Sequence, residues 1–117
     1  MLNLPGIYIE GAWHHGAQPL TVINPSTGQS LAEVAGGDGD AVACAATAAQ
    51  AAFAGWSRTT GAHRGELLHR IARGVEARRE RLIELQSRNN GKPLAESAMD
   101  VDDVVATFEY YAGLAQA

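Results

Sequence analysis

At 117 residues the chain has room for one small domain or a piece of a larger one. With 46% hydrophobic and 19% charged residues it is globular rather than disordered. Only 6% is aromatic and much of the apolar share is alanine, so a core built from this chain alone is thin. The formal net charge of −4 argues against a nucleic-acid partner, which favours a basic footprint.

The start, Met1–Gly6, has neither a basic region nor an apolar stretch and does not read as an export signal, so a cytoplasmic location is expected. Gly6–Trp13 alternates around Ile7 and Ile9, and Glu10-Gly11 supplies a hairpin turn. His14-His15 invites a metal reading, but adjacent strand residues point to opposite faces and cannot chelate one ion together. Leu20–Ile23 is a second apolar strand stopped by Asn24-Pro25, and Ser26-Thr27-Gly28 completes a turn. Ser30–Ala35 is a third strand, closed by Gly36-Gly37. Gly36-Gly37-Asp38-Gly39 lacks the spacing of a dinucleotide fingerprint.

From Asp40 the period becomes helical. Asp38 or Asp40 caps a first helix with the stripe Val42, Ala45/Ala46, Ala49, Phe53 and Trp56. Ala41–Trp56 carries no charge but falls short of the ~20 apolar residues of a membrane span. Cys44, amid Ala43, Ala45 and Ala46, is expected to be a small buried residue; nothing near it in sequence supplies the electropositive setting of a reactive thiol. Being single, it excludes an internal disulfide. Thr60 caps a second helix, with Leu67, Leu68, Ile71 and Val75 inward and Arg70 and Arg73 outward. Arg70, Arg73, Arg78, Arg79 and Arg81 interleave with Glu66, Glu76, Glu80 and Glu84, the pattern of a salt-bridged solvated face. His63 and His69 do not have the spacing of a helical metal pair. A third helix carries Leu82, Ile83 and Leu85 and stops at Asn90-Gly91, with Pro93 beyond. The fourth starts near Pro93 with the stripe Leu94, Ala98, Val101, Val105, Phe108, Ala112 and Ala115. It reaches Ala117 without a glycine or proline stop, which reads as a truncated or open boundary.

In that last helix Asp100, Asp102 and Asp103 crowd together. The helical period groups Asp100 and Asp103 with Met99 and swings Asp102 to another side. Three such carboxylates repel unless a cation or solvent relieves them. Spacing alone favours a solvated acidic face near a helix start.

Asn24-Pro25-Ser26-Thr27-Gly28, Asn89-Asn90-Gly91-Lys92-Pro93-Leu94 and Tyr110-Tyr111-Ala112-Gly113 together resemble the amino-terminal segment of aldehyde dehydrogenases, above all the betaine-aldehyde and aminoaldehyde type. The resemblance runs from about Ile7 to the last residue. It implies an α/β fragment: an amino-terminal β-hairpin and strands, then about four helices, part of the cofactor-binding domain. The whole chain, 1–117, is then one partial domain, with strands over about 6–35, helices over about 40–117 and no second domain. In plant-type members a closely similar acidic stretch places two carboxylates at the mouth of the substrate channel, facing the substrate's positive end. Those roles fall on Asp100 and Asp103, and Asp103 and Met99 also match tunnel-lining positions in more distant members. The plant-type enzymes tend to carry tryptophan where this chain has Met99, which removes a strong cation–π surface. Many members hold Na⁺ or K⁺ with two backbone carbonyls and a carboxylate. The corresponding residues are Val22, Ile23 and Asn89, so a neutral oxygen donor replaces the usual aspartate.

The family oxidises aldehydes through a thiohemiacetal on cysteine, with hydride passing to NAD⁺ or NADP⁺, a glutamate activating water and an asparagine holding the oxyanion. None of the motifs for those residues, nor the nucleotide-binding turn, occurs in this chain. It therefore contains no catalytic and no cofactor-binding residue, and alone it is predicted inactive. The resemblance further implies a small-molecule aldehyde substrate and a homo-oligomer when complete; charge and the short apolar stretch point to no nucleic-acid or membrane partner. The rival reading is a non-catalytic helical module binding a protein through the fourth helix, or a degraded gene product.

Overall fold

The computed structural model describes residues 2–3 and 6–117. The expectation drawn from Met1–Gly6 lies in part outside the described residues. The chain falls into two compact units, Met1–Arg58 and Thr59–Ala117. The division between them follows the first helix.

In the first unit, β2 (Ile7–Ile9) and β3 (Ala12–His14) form the expected hairpin. Glu10 and Gly11 have φ of 52° and 80°, the two positive values that a two-residue turn matched to strand twist requires. Tyr8 and Trp13 face each other across it, ring centroids 5.0 Å apart. A second sheet has the order β1 (Leu2–Asn3), β5 (Ser30–Gly36), β4 (Gln18–Ile23). The parallel pairing of β1 with β5 has no counterpart in the expected elements. Its central strand, β5, holds the buried Leu31 and Ala32.

The β4–β5 connection explains its own sequence. Asn24 Oδ1 accepts from the Ser26 amide at 2.9 Å, and the Asn24 carbonyl accepts from the Gly28 amide at 2.8 Å. Gly28 closes the turn at φ 69°, and the Asn24 amide donates to the Gln29 carbonyl at 2.9 Å.

Helix α1 (Gly39–Trp56) is capped by Asp38, whose Oδ1 accepts from the Ala41 amide at 2.9 Å. None of its residues is buried. The small residues Ala41, Cys44, Ala48 and Ala51 line the hairpin side, together with Ile7 and Ile9. Of the expected stripe, Ala45 and Ala49 also face the hairpin, but Val42 is 68% and Phe53 61% exposed. Cys44 is exposed and not buried as its neighbours implied, because only thin, alanine-lined contacts reach that face.

The second unit comprises α2 (Gly61–Glu76), α3 (Arg79–Asn90) and α4 (Leu94–Gln116). Thr60 Oγ1 accepts from the His63 amide at 3.2 Å, which caps α2. Gly91, at φ 79°, ends α3 and donates its amide to the Ser87 carbonyl at 2.9 Å. Gly65, Ala72, Ile83, Ser97, Val101 and Ala112 form the buried centre. Helices α2 and α4 pack closely, for a Cβ built on Gly61 or Gly65 would lie 2.0 Å from the Ala115 carbonyl oxygen or 2.7 Å from that of Ala112. Small residues thus set the seam. The inward face of α2 is centred on Gly65 and Ala72, and Ile71, expected inward, is 45% exposed.

Candidate functional site

The acidic stretch lies in the first half of α4, and tertiary partners sort its three carboxylates. Asp102 receives a two-point salt bridge from Arg79 at the start of α3: Nε donates to Oδ1 at 2.7 Å and Nη2 to Oδ2 at 2.9 Å. That fork geometry is the strongest form of the pair. The Arg79 guanidinium holds the Asp102 carboxyl below the usual carboxylate range.

Asp100 is engaged from the other side. Lys92 Nζ donates to its Oδ2 at 2.5 Å, and the Gln86 side-chain amide donates to the same oxygen. These hydrogen bonds, Lys92 first and then Gln86, lower the Asp100 pKa against the opposing effect of desolvation. The Lys92 ammonium is raised in turn, chiefly by its hydrogen bond to Asp100. The mutual repulsion expected of Asp100 and Asp103 is therefore relieved at Asp100 by a cation of the same unit.

Asp103 stands apart. It is exposed and has no hydrogen-bond or ion-pair partner among the described residues. The helical period sets it on one stripe with Met99 and Tyr110, each 66% exposed. This outward stripe opposes the buried positions Val101 and Ala112. It combines one unneutralised carboxylate with apolar side chains, a surface suited to an organic cation.

The residues matched to a monovalent cation lie in different units. Val22 and Ile23 end β4, where the register with β5 shifts: Val22 pairs with Ala32 and Ile23 with Ser30. Asn89 is exposed near the end of α3. The histidines gather no metal ligands, and no group of three or more His, Cys, Asp or Glu able to hold a metal ion occurs among the described residues. His14, His15, Asp38, Asp40 and Cys44 do line an open groove of about 720 Å³ between the hairpin and α1, but Asp38 is already committed to capping. His69 Nδ1 lies 2.5 Å from Glu109 Oε2, a contact joining α2 to α4. No described helix is long and apolar enough to cross a membrane.

Sequence reasoning singled out the carboxylates but missed Arg79, Gln86 and Lys92 as the groups that sort them. For Lys92 a signal existed: a cation just before a helix-starting proline, with an acidic face two turns later. Arg79 and Gln86 reach α4 only through the tertiary fold.

The chain belongs to the aldehyde dehydrogenase family, whose sequence profile matches residues 13–117. It is similar to aminoaldehyde dehydrogenase 2 of Zea mays, with 40% identity over 119 residues, covering 96% of this chain and 24% of that protein. The mitochondrial aldehyde dehydrogenase of Homo sapiens is 41% identical over 115 residues, covering 93% of this chain and 22% of that protein. The crystal structure of betaine aldehyde dehydrogenase from Staphylococcus aureus in complex with NAD⁺ superposes with a TM-score of 0.94 at 34% identity, covering 97% of this chain and 24% of that one. The chain spans about a quarter of the length of the relatives it matches. The α/β architecture expected from the sequence, strands followed by four helices, is the one observed.

Proposed function

We propose that this chain forms the amino-terminal part of an NAD(P)⁺-dependent aldehyde dehydrogenase acting on cationic aldehydes of the betaine-aldehyde or aminoaldehyde class. The observation that carries the reading is Asp103, an exposed, unpaired carboxylate in line with Met99 on the outward stripe of α4. In the complete enzyme Met99, Asp100 and Asp103 form one wall of the substrate entrance, and Asp103 attracts the ammonium end of the aldehyde. A nicotinamide cofactor bound elsewhere in the complete enzyme would accept the hydride, while the residues of this chain bind and orient the cationic end of the substrate. The similarity to proteins named for aminoaldehyde and betaine aldehyde supports the substrate class.

A unit charge pair about 4 Å apart is worth ~1 kcal/mol in bulk water and ~4 kcal/mol near a protein surface. A wet entrance lies toward the low end. In the complete enzyme, Asp103→Asn should raise KM for trimethylammonioacetaldehyde about five- to tenfold. It should leave KM for the uncharged isostere tert-butylacetaldehyde, and kcat for both, nearly unchanged. Equal losses on the two aldehydes would reduce Asp103 to a structural residue.

A monovalent cation, Na⁺ or K⁺, completes the proposal by resemblance alone: the carbonyls of Val22 and Ile23 in the first unit and, separately, the side chain of Asn89 in the second correspond to its ligands in the family. The donors are all hard oxygens, as such ions require. The register shift between Val22 and Ile23 interrupts the ladder where those carbonyls lie. The ion would act as a fixed charge that braces the backbone. We also propose a cytoplasmic homo-oligomer; the free, exposed Cys44 fits a reducing compartment.

A further inference from the structure

We propose that Asp100 is a positioning residue and not a ligand of the substrate: Lys92 and Gln86 hold its carboxylate against the turn between α3 and α4, leaving Asp103 as the single charge offered to a cationic aldehyde. This rests on the substrate class proposed above and divides the labour between two carboxylates that sequence spacing treats alike.

Three observations carry it. One oxygen of Asp100, Oδ2, accepts from both Lys92 Nζ and the Gln86 amide. Lys92 Nζ thus cancels the charge at close range, and both members of the pair are about two-thirds covered. A substrate ammonium group reaching Asp100 would have to compete with a covalently tethered one, whose effective concentration is far higher. Gln86 lies on α3, Lys92 in the connection and Asp100 on α4. The three therefore tie one element to the next across Gly91 and Pro93, where the backbone ladder is interrupted. The function of the clamp is to fix how α4, and with it Asp103, leaves that turn. Asp103 has no such partner among the described residues.

The test compares isosteric variants of the complete enzyme on the same charged and uncharged aldehydes. Asp100→Asn combined with Lys92→Met removes both members of the pair and leaves the local net charge unchanged. It should change KM for both aldehydes by the same factor, within about twofold. A loss confined to the cationic aldehyde, as large as that of Asp103→Asn, would overturn the proposal. A second measurement uses the 117-residue chain, following the side-chain carboxyl of Asp100 by NMR during an acid titration. Lys92→Met should move its midpoint up toward the ordinary aspartate value, and Lys92→Arg should restore most of the depression. A midpoint indifferent to Lys92→Met would show that the clamp does not form, and would also overturn it. If Asp103→Asn has no charge-selective effect, the substrate class fails, while the titration still decides whether Lys92 holds Asp100.

Discussion

The same substitution at two positions of α2 should have opposite effects. Replacing glycine by alanine inside a helix gains about 1 kcal/mol of intrinsic propensity. At Gly74 the nearest atom to the new methyl is the Arg78 guanidinium at 3.7 Å, an ordinary contact, so most of that gain should survive. At Gly65 the methyl would lie 2.7 Å from the Ala112 carbonyl oxygen and 2.7 Å from Gln116 Nε2. The glutamine can swing away, but the carbonyl belongs to the facing helix, so α2 and α4 must separate. Overpacking of this kind costs roughly 1–3 kcal/mol, and subtracting the propensity gain leaves a net loss of about 1 kcal/mol. Urea unfolding followed by far-UV circular dichroism would read this as a lowered midpoint for Gly65→Ala and a raised one for Gly74→Ala. At about 4–8 °C per kcal/mol for a domain of this size, the two melting temperatures should differ by roughly 10 °C. A Gly65→Ala chain as stable as Gly74→Ala would refute the close seam.

Acid should loosen the helical unit through Asp100 and Asp102. Both titrate lower when folded, so their stabilisation is present above the unfolded aspartate value near ~3.9 and disappears as pH falls through the lower folded values. A urea midpoint unchanged between about pH 6 and 3 would contradict this. Lys92, raised when folded, contributes below the unfolded value near ~10.4 and is lost as pH climbs past it. The purified chain should neither oxidise aldehydes nor bind nicotinamide cofactor; aldehyde-dependent NADH formation abolished by Cys44→Ser would be contrary evidence. In the complete enzyme, Asn89→Asp should enlarge the rise in melting temperature when K⁺ replaces choline, because a carboxylate restores the charge match. An unchanged rise would remove Asn89 from the cation site.

What the sequence made legible was local. Glu10-Gly11, Asn24 to Gly28, the caps at Asp38 and Thr60, and the stop at Gly91 all encode their geometry within a few residues, and each is observed. The inward stripe of α4 was legible too, since Val101 and Ala112 are buried. Reading large apolar residues as core misplaced Val42 and Phe53 of α1 and Ile71 of α2, while Leu67, Leu68 and Val75 are half-buried and Arg70 and Arg73 exposed as expected. Val42 and Phe53 point outward, and the tight seam of α2 selects Gly65 and Ala72 because only small side chains let two helix backbones approach. For the candidate site, the period grouped Met99 with Asp103 correctly. The partition of charge between Asp100 and Asp103 was hidden because Gln86 reaches Asp100 only once α3 has folded back along α4.

The alanine and glycine seam between α2 and α4 also has a thermal consequence. Buried methyl groups and bare backbone expose little apolar surface on unfolding, and that surface supplies most of the positive heat-capacity change. A helical pair sealed by Gly61, Gly65, Ala72 and Ala112 should therefore have a shallow stability curve. Its free energy would vary little with cooling, and its cold limit would lie far below that of a unit of equal length packed with leucine.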